Sequence, residues 1–255
     1  MAVPKVLILM ADYGHDPTET AVPYTALSKA GFDIHFATEN GNIPRCDKLM
    51  LEGLCQKLLG ATRDVIDLYA TMAASKEIQS PLAWTAPEFT LDPYDLVLLP
   101  GGHDKAVRQI IDSPRVHDLM LAYFPQTKKP GRKVVAAICH GVMVLSETKD
   151  ANGQSVISNC TTTTLPAFFE RSIFWTTWPV LGSYYKTYGA WSENTATSVQ
   201  NVLADPAQFK SSISSEPFVV EDESYNYISA RYPPDAKLFG DRIVNLVHDV
   251  RSRPS

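Results

Sequence analysis

No stretch of this 255-residue chain approaches the run of roughly 18 apolar residues that a membrane helix needs, so neither a span nor a membrane partner is expected. Basic charge is scarce: 23 Lys and Arg face 28 Asp and Glu, and a formal net charge of -5 offers no field to hold phosphate backbones. Nucleic acid is therefore not an expected partner. Neither G-x-G-x-x-G after a first strand nor G-x-x-x-x-G-K-[ST] occurs, which removes the usual cradles for dinucleotides and nucleoside triphosphates; no cofactor is expected. The four cysteines, Cys46, Cys55, Cys139 and Cys160, form no C-x-x-C pair, and the histidines add no recognised ligand spacing, so no metal site is expected either. The opening residues turn polar at Asp12 without the apolar core and small-residue cleavage site of an export signal. The scattered thiols read as reduced, in a soluble cytoplasmic protein. Internal repeats, low-complexity tracts and linkers are lacking, which leaves one domain over 1–255.

What is present is 45% hydrophobic residues, enough for one large core. Short β-rich runs alternate with amphipathic stretches, the pattern of an α/β fold: a doubly wound, mostly parallel sheet with helices on both faces. Strands are predicted over 5–11, 32–38, 94–99 and 133–138, each short, apolar and bounded by Gly, Pro or Asp, and these four form the sheet centre. Helical spacing over 18–30 stops at Gly31, a C-terminal cap, and completes a first βαβ unit. Residues 42–92 are too many for a simple crossover. Their Leu49, Leu51, Leu54, Leu58, Leu59, Val65, Ile66, Leu68 and Met72 predict two helices broken near Gly60, read as an inserted helical cap beside the active-site edge, with an ordinary helical crossover plus a loop as the alternative. Aromatic side chains crowd 166–191, where Phe168, Trp175, Tyr185 and their neighbours suit a pocket lining, a subunit interface or a satellite core alike. Strands at 218–221 and 225–230 and a helix over 235–250, opened by Pro233 and Pro234, close the chain.

In an open parallel sheet, ligands bind beyond the carboxyl ends of the strands, and the candidate residues fall there. Cys139 follows the strand 133–138 directly, and Gly141 lets the backbone turn into a helix, the layout of a nucleophile elbow with sulfur in place of the serine oxygen. A thiol at a helix start sees the positive end of the dipole, which favours thiolate. A second strand ends in Leu99-Pro100-Gly101-Gly102-His103, where Gly101 and Gly102 let backbone amides approach a substrate; the amides of Gly102 and His140 are candidate oxyanion donors. Pro-Gly-Gly alone is common turn chemistry, and only its pairing with Cys139 raises it. Glu19 taken alone is a first-turn acid that suits a helix dipole. Beside the sulfur, it is an acid held protonated by burial and by a neighbouring thiolate, titrating with the thiol as a pair. His140 is a candidate base or substrate-orienting donor, with a purely structural histidine as the alternative; His103 lines the pocket, and His15 and Asp16 are weaker candidates on the loop after the first strand. Cys160, at the end of another expected strand, reads as a small buried residue.

Together, Ala136-Ala137-Ile138-Cys139-His140-Gly141, Leu99-Pro100-Gly101-Gly102, Glu19 with Pro23, and Ile228-Ser229-Ala230-Arg231 with Pro233-Pro234 resemble the ThiJ/PfpI superfamily, on the class I glutamine amidotransferase-like fold. That superfamily includes the parkinsonism-associated deglycase and the heat-shock glyoxalase III chaperones. The resemblance implies Cys139 as nucleophile, Glu19 as its acid partner, Gly102 and His140 as amide donors and the His140 ring as general base. It also implies a small-molecule substrate and a homodimer. Histidine directly after cysteine is similar to the glyoxalase III and protease-like branches, which implies glutathione-independent conversion of a 2-oxoaldehyde to a 2-hydroxy acid. A hydratase, lyase or hydrolase of a specialised metabolite, and a redox-sensing chaperone, use the same thiol. In the glyoxalase III branch a downstream carboxylate orients the histidine. Here the corresponding stretch reads Cys160-Thr161-Thr162-Thr163-Thr164-Leu165-Pro166, and Glu170 falls about one helical turn late.

Overall fold

Apolar residues at every position of a short strand, rather than at alternate ones, require a sheet covered on both faces. The computed structural model, which describes residues 2–253 apart from the side chains of Leu54 and Leu58, has that sheet. The strands are β1 (Lys5–Leu9), β2 (Tyr13–His15), β3 (Asp33–Thr38), β4 (Arg45–Cys46), β5 (Leu82–Ala83), β6 (Leu96–Leu99), β7 (Val134–Ile138), β8 (Val219–Glu221) and β9 (Tyr227–Ala230). The helices are α1 (Pro17–Lys29), α2 (Lys48–Leu51), α3 (Gly53–Leu59), α4 (Arg63–Ala73), α5 (Lys76–Gln79), α6 (Arg108–Ile111), α7 (Pro114–Tyr123), α8 (Gly141–Glu147), α9 (Ala167–Leu181), α10 (Thr195–Gln200) and α11 (Ala236–Ser252). Among the described residues the main sheet has seven strands in the order β5-β3-β1-β6-β7-β9-β8, all parallel except β8 against β9. The four strands expected at its centre are there.

Each central strand feeds both faces in alternation. Val6, Ile8, Leu98, Ala136 and Ile138 face a layer that includes Leu27 of α1 and Phe239, Ile243 and Val247 of α11. Leu7, Leu9, Val97, Leu99, Val135 and Ala137 face the opposite layer, with Val116 and Met120 of α7 and Leu145 of α8. A fully buried Leu, Ile or Val contributes about 1.5–3 kcal/mol over its exposed state. α1 packs on α11 closely enough that a Cβ at Gly240 would lie 3.1 Å from Ala26 Cβ and from Pro23 Cα.

Two expectations are corrected. The segment 42–92 does break at Gly60, but it breaks again at Glu52, where the backbone is extended, and after Ala73, so it forms four short helices rather than two. It also places β5 beside β3 at the sheet edge and β4 beside β2. Cys160 does not end a strand: Ser158 N donates to Ser155 O at 3.0 Å and Cys160 N to Ile157 O at 2.9 Å, local turns that satisfy the backbone without a ladder. Cys160 is fully buried, as a small apolar residue should be.

Candidate active site

The chain leaves β7 at Ile138 and enters α8 at Gly141, so Cys139 must make a sharp corner, and it does so at φ +56. Such a conformation costs a residue with a Cβ on the order of 1–3 kcal/mol, and persists only where the surroundings fix it. Here Cys139 N donates to Ala230 O of β9 at 3.1 Å, and Thr164 Oγ1 donates to Cys139 O at 2.6 Å. The glycine after the corner is required, because a Cβ at Gly141 would lie 2.2 Å from Leu99 O. The threonine stretch therefore holds the elbow's carbonyl; the hydroxyls of Thr162 and Thr164 bind Tyr227, Ser229 and Cys139 rather than the imidazole of His140.

Glu19 enters from the first turn of α1. Asp16 caps that helix, with Oδ1 accepting from Thr18 N at 2.7 Å and Glu19 N at 3.1 Å, and Asp16 N donates to Gly101 O at 2.9 Å. This ties the start of α1 to the end of β6. A Cβ at Gly101 would lie 2.6 Å from Glu19 Oε2 and 2.8 Å from Cys139 Cβ, so only glycine lets the acid and the cysteine share this space. Neither oxygen of Glu19 meets hydrogen-bond geometry with a described partner, although the sulfur and the Gly101 amide are near enough to act on it.

Burial pushes the Glu19 carboxyl well above the ordinary range, and the charge of Asp16 adds to this; the thiol of Cys139 and the amide of Gly101 pull the other way. Burial also pushes the Cys139 thiol up, joined by the charges of Glu19 and Asp16, with the His140 amide opposing. This corrects the expectation of a thiolate favoured by a helix start. α8 has seven residues and the sulfur beside it is buried, so loss of water outweighs the dipole. Thiol and carboxyl titrate as a pair: with Glu19 protonated, its charge no longer opposes a thiolate and its proton can face one.

On the other side of the sulfur, His140 Nδ1 lies 3.4 Å from Cys139 Sγ. Burial pushes this imidazole down, with Glu170 countering and Lys186 adding to the effect, so the ring is neutral near pH 7. Its Nε2 lies 3.0 Å from Thr195 Oγ1; Thr195 N donates to Glu170 Oε2 at 2.7 Å; and Glu170 Oε1 pairs with Lys186 Nζ at 2.9 Å, both buried. The carboxylate that falls late in the sequence is thus brought to the histidine through the first residue of α10. When Nε2 donates to Thr195, Nδ1 presents a lone pair to the thiol.

A cavity of about 420 Å³ is lined by Glu19, Gly102, His103, Cys139, His140 and Glu170, among others. His103 stacks on Tyr185 with ring centroids 4.4 Å apart, meets Tyr184 edge-on at 4.7 Å, and has Nε2 3.5 Å from Asp47 Oδ2. Tyr184 also hydrogen-bonds that Asp47 oxygen. Burial, with the His140 ring adding to it, pushes His103 down to about 3, so it is neutral and positioned rather than basic. Asp16 also lines the cavity, and burial pushes it up to about 6 against the amides of Glu19 and Thr18. His15 instead faces Tyr69, 3.4 Å from its hydroxyl. Tyr185 was among the aromatics read as a possible pocket lining, and it does line the cavity; Asp47, Lys186 and Thr195 were not among the sequence candidates. Asp47 carries a signal, a helix-capping acid whose Oδ1 accepts from Leu49 N at 3.0 Å; Lys186 and Thr195 follow a long irregular loop and carry none. Among the described residues there is no metal-holding group of three His, Cys, Asp or Glu side chains, no disulfide, and no helix long and apolar enough to cross a membrane.

A family model described as ThiJ/PfpI family-like matches residues 10–225. An uncharacterised protein of Schizosaccharomyces pombe is 29% identical over 244 residues, 95% of this chain and 84% of that protein. The glutathione-independent glyoxalase hsp3102 of the same yeast is 27% identical over 143 residues, 54% of this chain and 52% of that protein. Among solved structures, glyoxalase III of Candida albicans superposes with a TM-score of 0.68 at 16% identity, covering 95% of this chain and 97% of that one.

Proposed function

Since the chain belongs to the ThiJ/PfpI-like family, we propose that it is a cysteine-dependent enzyme which converts a 2-oxoaldehyde to the 2-hydroxy acid without glutathione. The observation that carries this reading is the placement of a strained cysteine between a buried acid and a neutral imidazole, all lining one cavity. The similarity to hsp3102, which is named a glutathione-independent glyoxalase, supports it.

The geometry supports the following sequence. His140 Nδ1 takes the thiol proton as Cys139 Sγ adds to the aldehyde carbon, and the new oxyanion gains a proton to give a hemithioacetal. The amides of Gly102 and His140 are the proposed donors to that oxygen. The proton on the former aldehyde carbon is then removed and one is returned to the neighbouring carbon. The aldehyde carbon is thereby oxidised to a thioester as the ketone is reduced to an alcohol. Glu19, held protonated by burial, and His140 are placed to move these protons. Water then cleaves the thioester and releases the 2-hydroxy acid and the thiol. No outside oxidant or reductant is consumed.

Purified protein given methylglyoxal and no thiol should form lactate, and Cys139→Ala should not; equal lactate from both would sink the reading. Pairing of two copies, implied by the resemblance, is part of the same proposal and is read by sedimentation.

A further inference from the structure

The cavity is much larger than the reaction needs. A cavity of about 420 Å³ falls in the range that takes ligands well beyond a three-carbon oxoaldehyde. Apart from the reacting groups and the two threonines Thr18 and Thr62, the lining is largely apolar and comes from separate parts of the chain: Met50 on α2, Leu59 on α3, Val65 on α4, Leu165, Ile173 on α9 and the ring of Tyr232 after β9. The described lining includes neither lysine nor arginine, whereas Asp16, Glu19 and Glu170 all reach it. Lys186, which pairs with Glu170, is committed to that carboxylate and to the backbone of Ser192 and Glu193. A carboxylate or phosphate on the substrate would have to leave water for a place with no partner of opposite charge.

We infer that this site selects 2-oxoaldehydes bearing an uncharged, apolar side chain of several carbons over methylglyoxal and over anionic analogues. The inference rests on the 2-oxoaldehyde reading proposed above and names the class of substrate within it. The apolar chain would lie among Met50, Leu59, Val65 and Ile173, with the dicarbonyl against Cys139. Each methylene taken from water into such a wall improves kcat/KM by up to about fourfold.

Initial rates with three substrates test it: methylglyoxal; 2-oxohexanal, with three more methylenes; and 4,5-dioxopentanoate, which carries a carboxylate at similar length. The expected kcat/KM for 2-oxohexanal is at least tenfold above that for methylglyoxal and at least tenfold above that for 4,5-dioxopentanoate. A methylglyoxal value equal to or above that of 2-oxohexanal overturns the inference, as does parity between the neutral and anionic chains. Leu59 is 45% exposed, so Leu59→Lys should fold, and it should raise the rate on 4,5-dioxopentanoate several-fold while lowering that on 2-oxohexanal. If none of the three is turned over, the proposed reaction fails, and the selectivity is read by ligand occupancy instead. Hexanal should protect Cys139 from alkylation by iodoacetamide at concentrations at least tenfold below those needed for propanal or 5-oxopentanoate. Equal protection by the three would overturn the inference in that case too.

Discussion

Thr195 stands between His140 and Glu170, its hydroxyl oxygen 3.0 Å from His140 Nε2 and its amide donating to Glu170 Oε2 at 2.7 Å. A carboxylate thus fixes the histidine at second hand, through a residue that can itself donate or accept. Replacing Thr195 by Val keeps its shape and its amide but removes the partner of Nε2, so the ring loses its preferred tautomer and orientation. The expected result is a fall in kcat of about tenfold to a hundredfold with little change in KM, and recovery in Thr195→Ser. A KM change with kcat intact would mean that Thr195 shapes the pocket rather than the base.

The Glu170–Lys186 pair behind Thr195 is buried on both sides. Lys186→Met strands a buried carboxylate and should destabilise the protein by about 3–5 kcal/mol in urea unfolding. Adding Glu170→Gln should recover a large part of that loss, because a neutral amide costs less to bury. If the double variant is no more stable than the single one, Lys186 acts through packing and its bonds to the 192–194 turn instead.

Local chemistry was legible in the sequence where neighbours in the chain are neighbours in space. Continuous apolar runs gave Val6 to Leu9 and Val134 to Ile138 as central strands. Cys139 with Gly141 read as an elbow because the corner is made by those residues themselves, and the paired glycines after β6 read as a close approach for the same reason. Thr195 and Lys186 were illegible because nothing periodic fixes the path from α9 to α10, so their arrival beside His140 is a tertiary event. The ionisation of Cys139 was misread for a related cause: the helix start is visible in sequence, but the burial that outweighs it is not. The helices of 48–79 were found but miscounted, since an extended backbone at Glu52 leaves no strong mark.

The corner at Cys139 yields a stability prediction that catalysis does not enter. Alanine keeps a Cβ at φ +56, whereas glycine adopts that region freely. Cys139→Gly should therefore be more stable than Cys139→Ala by about 1 kcal/mol, after the greater freedom of glycine in the unfolded chain is subtracted. Urea midpoints of the two variants check this, and both should lack turnover. A more stable alanine variant would show that the corner relaxes once sulfur is gone.

Glu19→Gln separates the charge of the acid from its position. Glu19 opposes the thiolate only once it has ionised, so a neutral amide in its place removes that opposition where the pair would otherwise share one charge, and the thiolate should appear at lower pH. The midpoint for alkylation of Cys139 by iodoacetamide should shift towards acid relative to wild type. Turnover should nonetheless fall by about a hundredfold, since the amide cannot carry a proton between the adjacent carbons. An unchanged midpoint would mean that burial alone sets the thiol.

His103 provides a pH-linked test of stability. Its folded-state pKa is pushed down to about 3 by burial, from the ordinary 6.5, so the neutral ring contributes stability that is fully present above about 6.5 and is lost as the pH falls towards 3. Each pH unit within that window is worth about 1.4 kcal/mol, so acidification from 6.5 to 5 removes about 2 kcal/mol through this ring alone. Asp16 works in the opposite sense. Raised to about 6 from 3.8, it contributes stability at low pH that is lost as the pH climbs through that interval. In His103→Gln the Asp16 contribution and that of His15 are unchanged and cancel when the variant is compared with wild type. The difference in unfolding free energy between the two proteins should therefore shift by about 2 kcal/mol in the variant's favour between pH 6.5 and 5. A difference that stays flat over this range would show that the ring escapes to water before it charges, and that its stack on Tyr185 does not hold it.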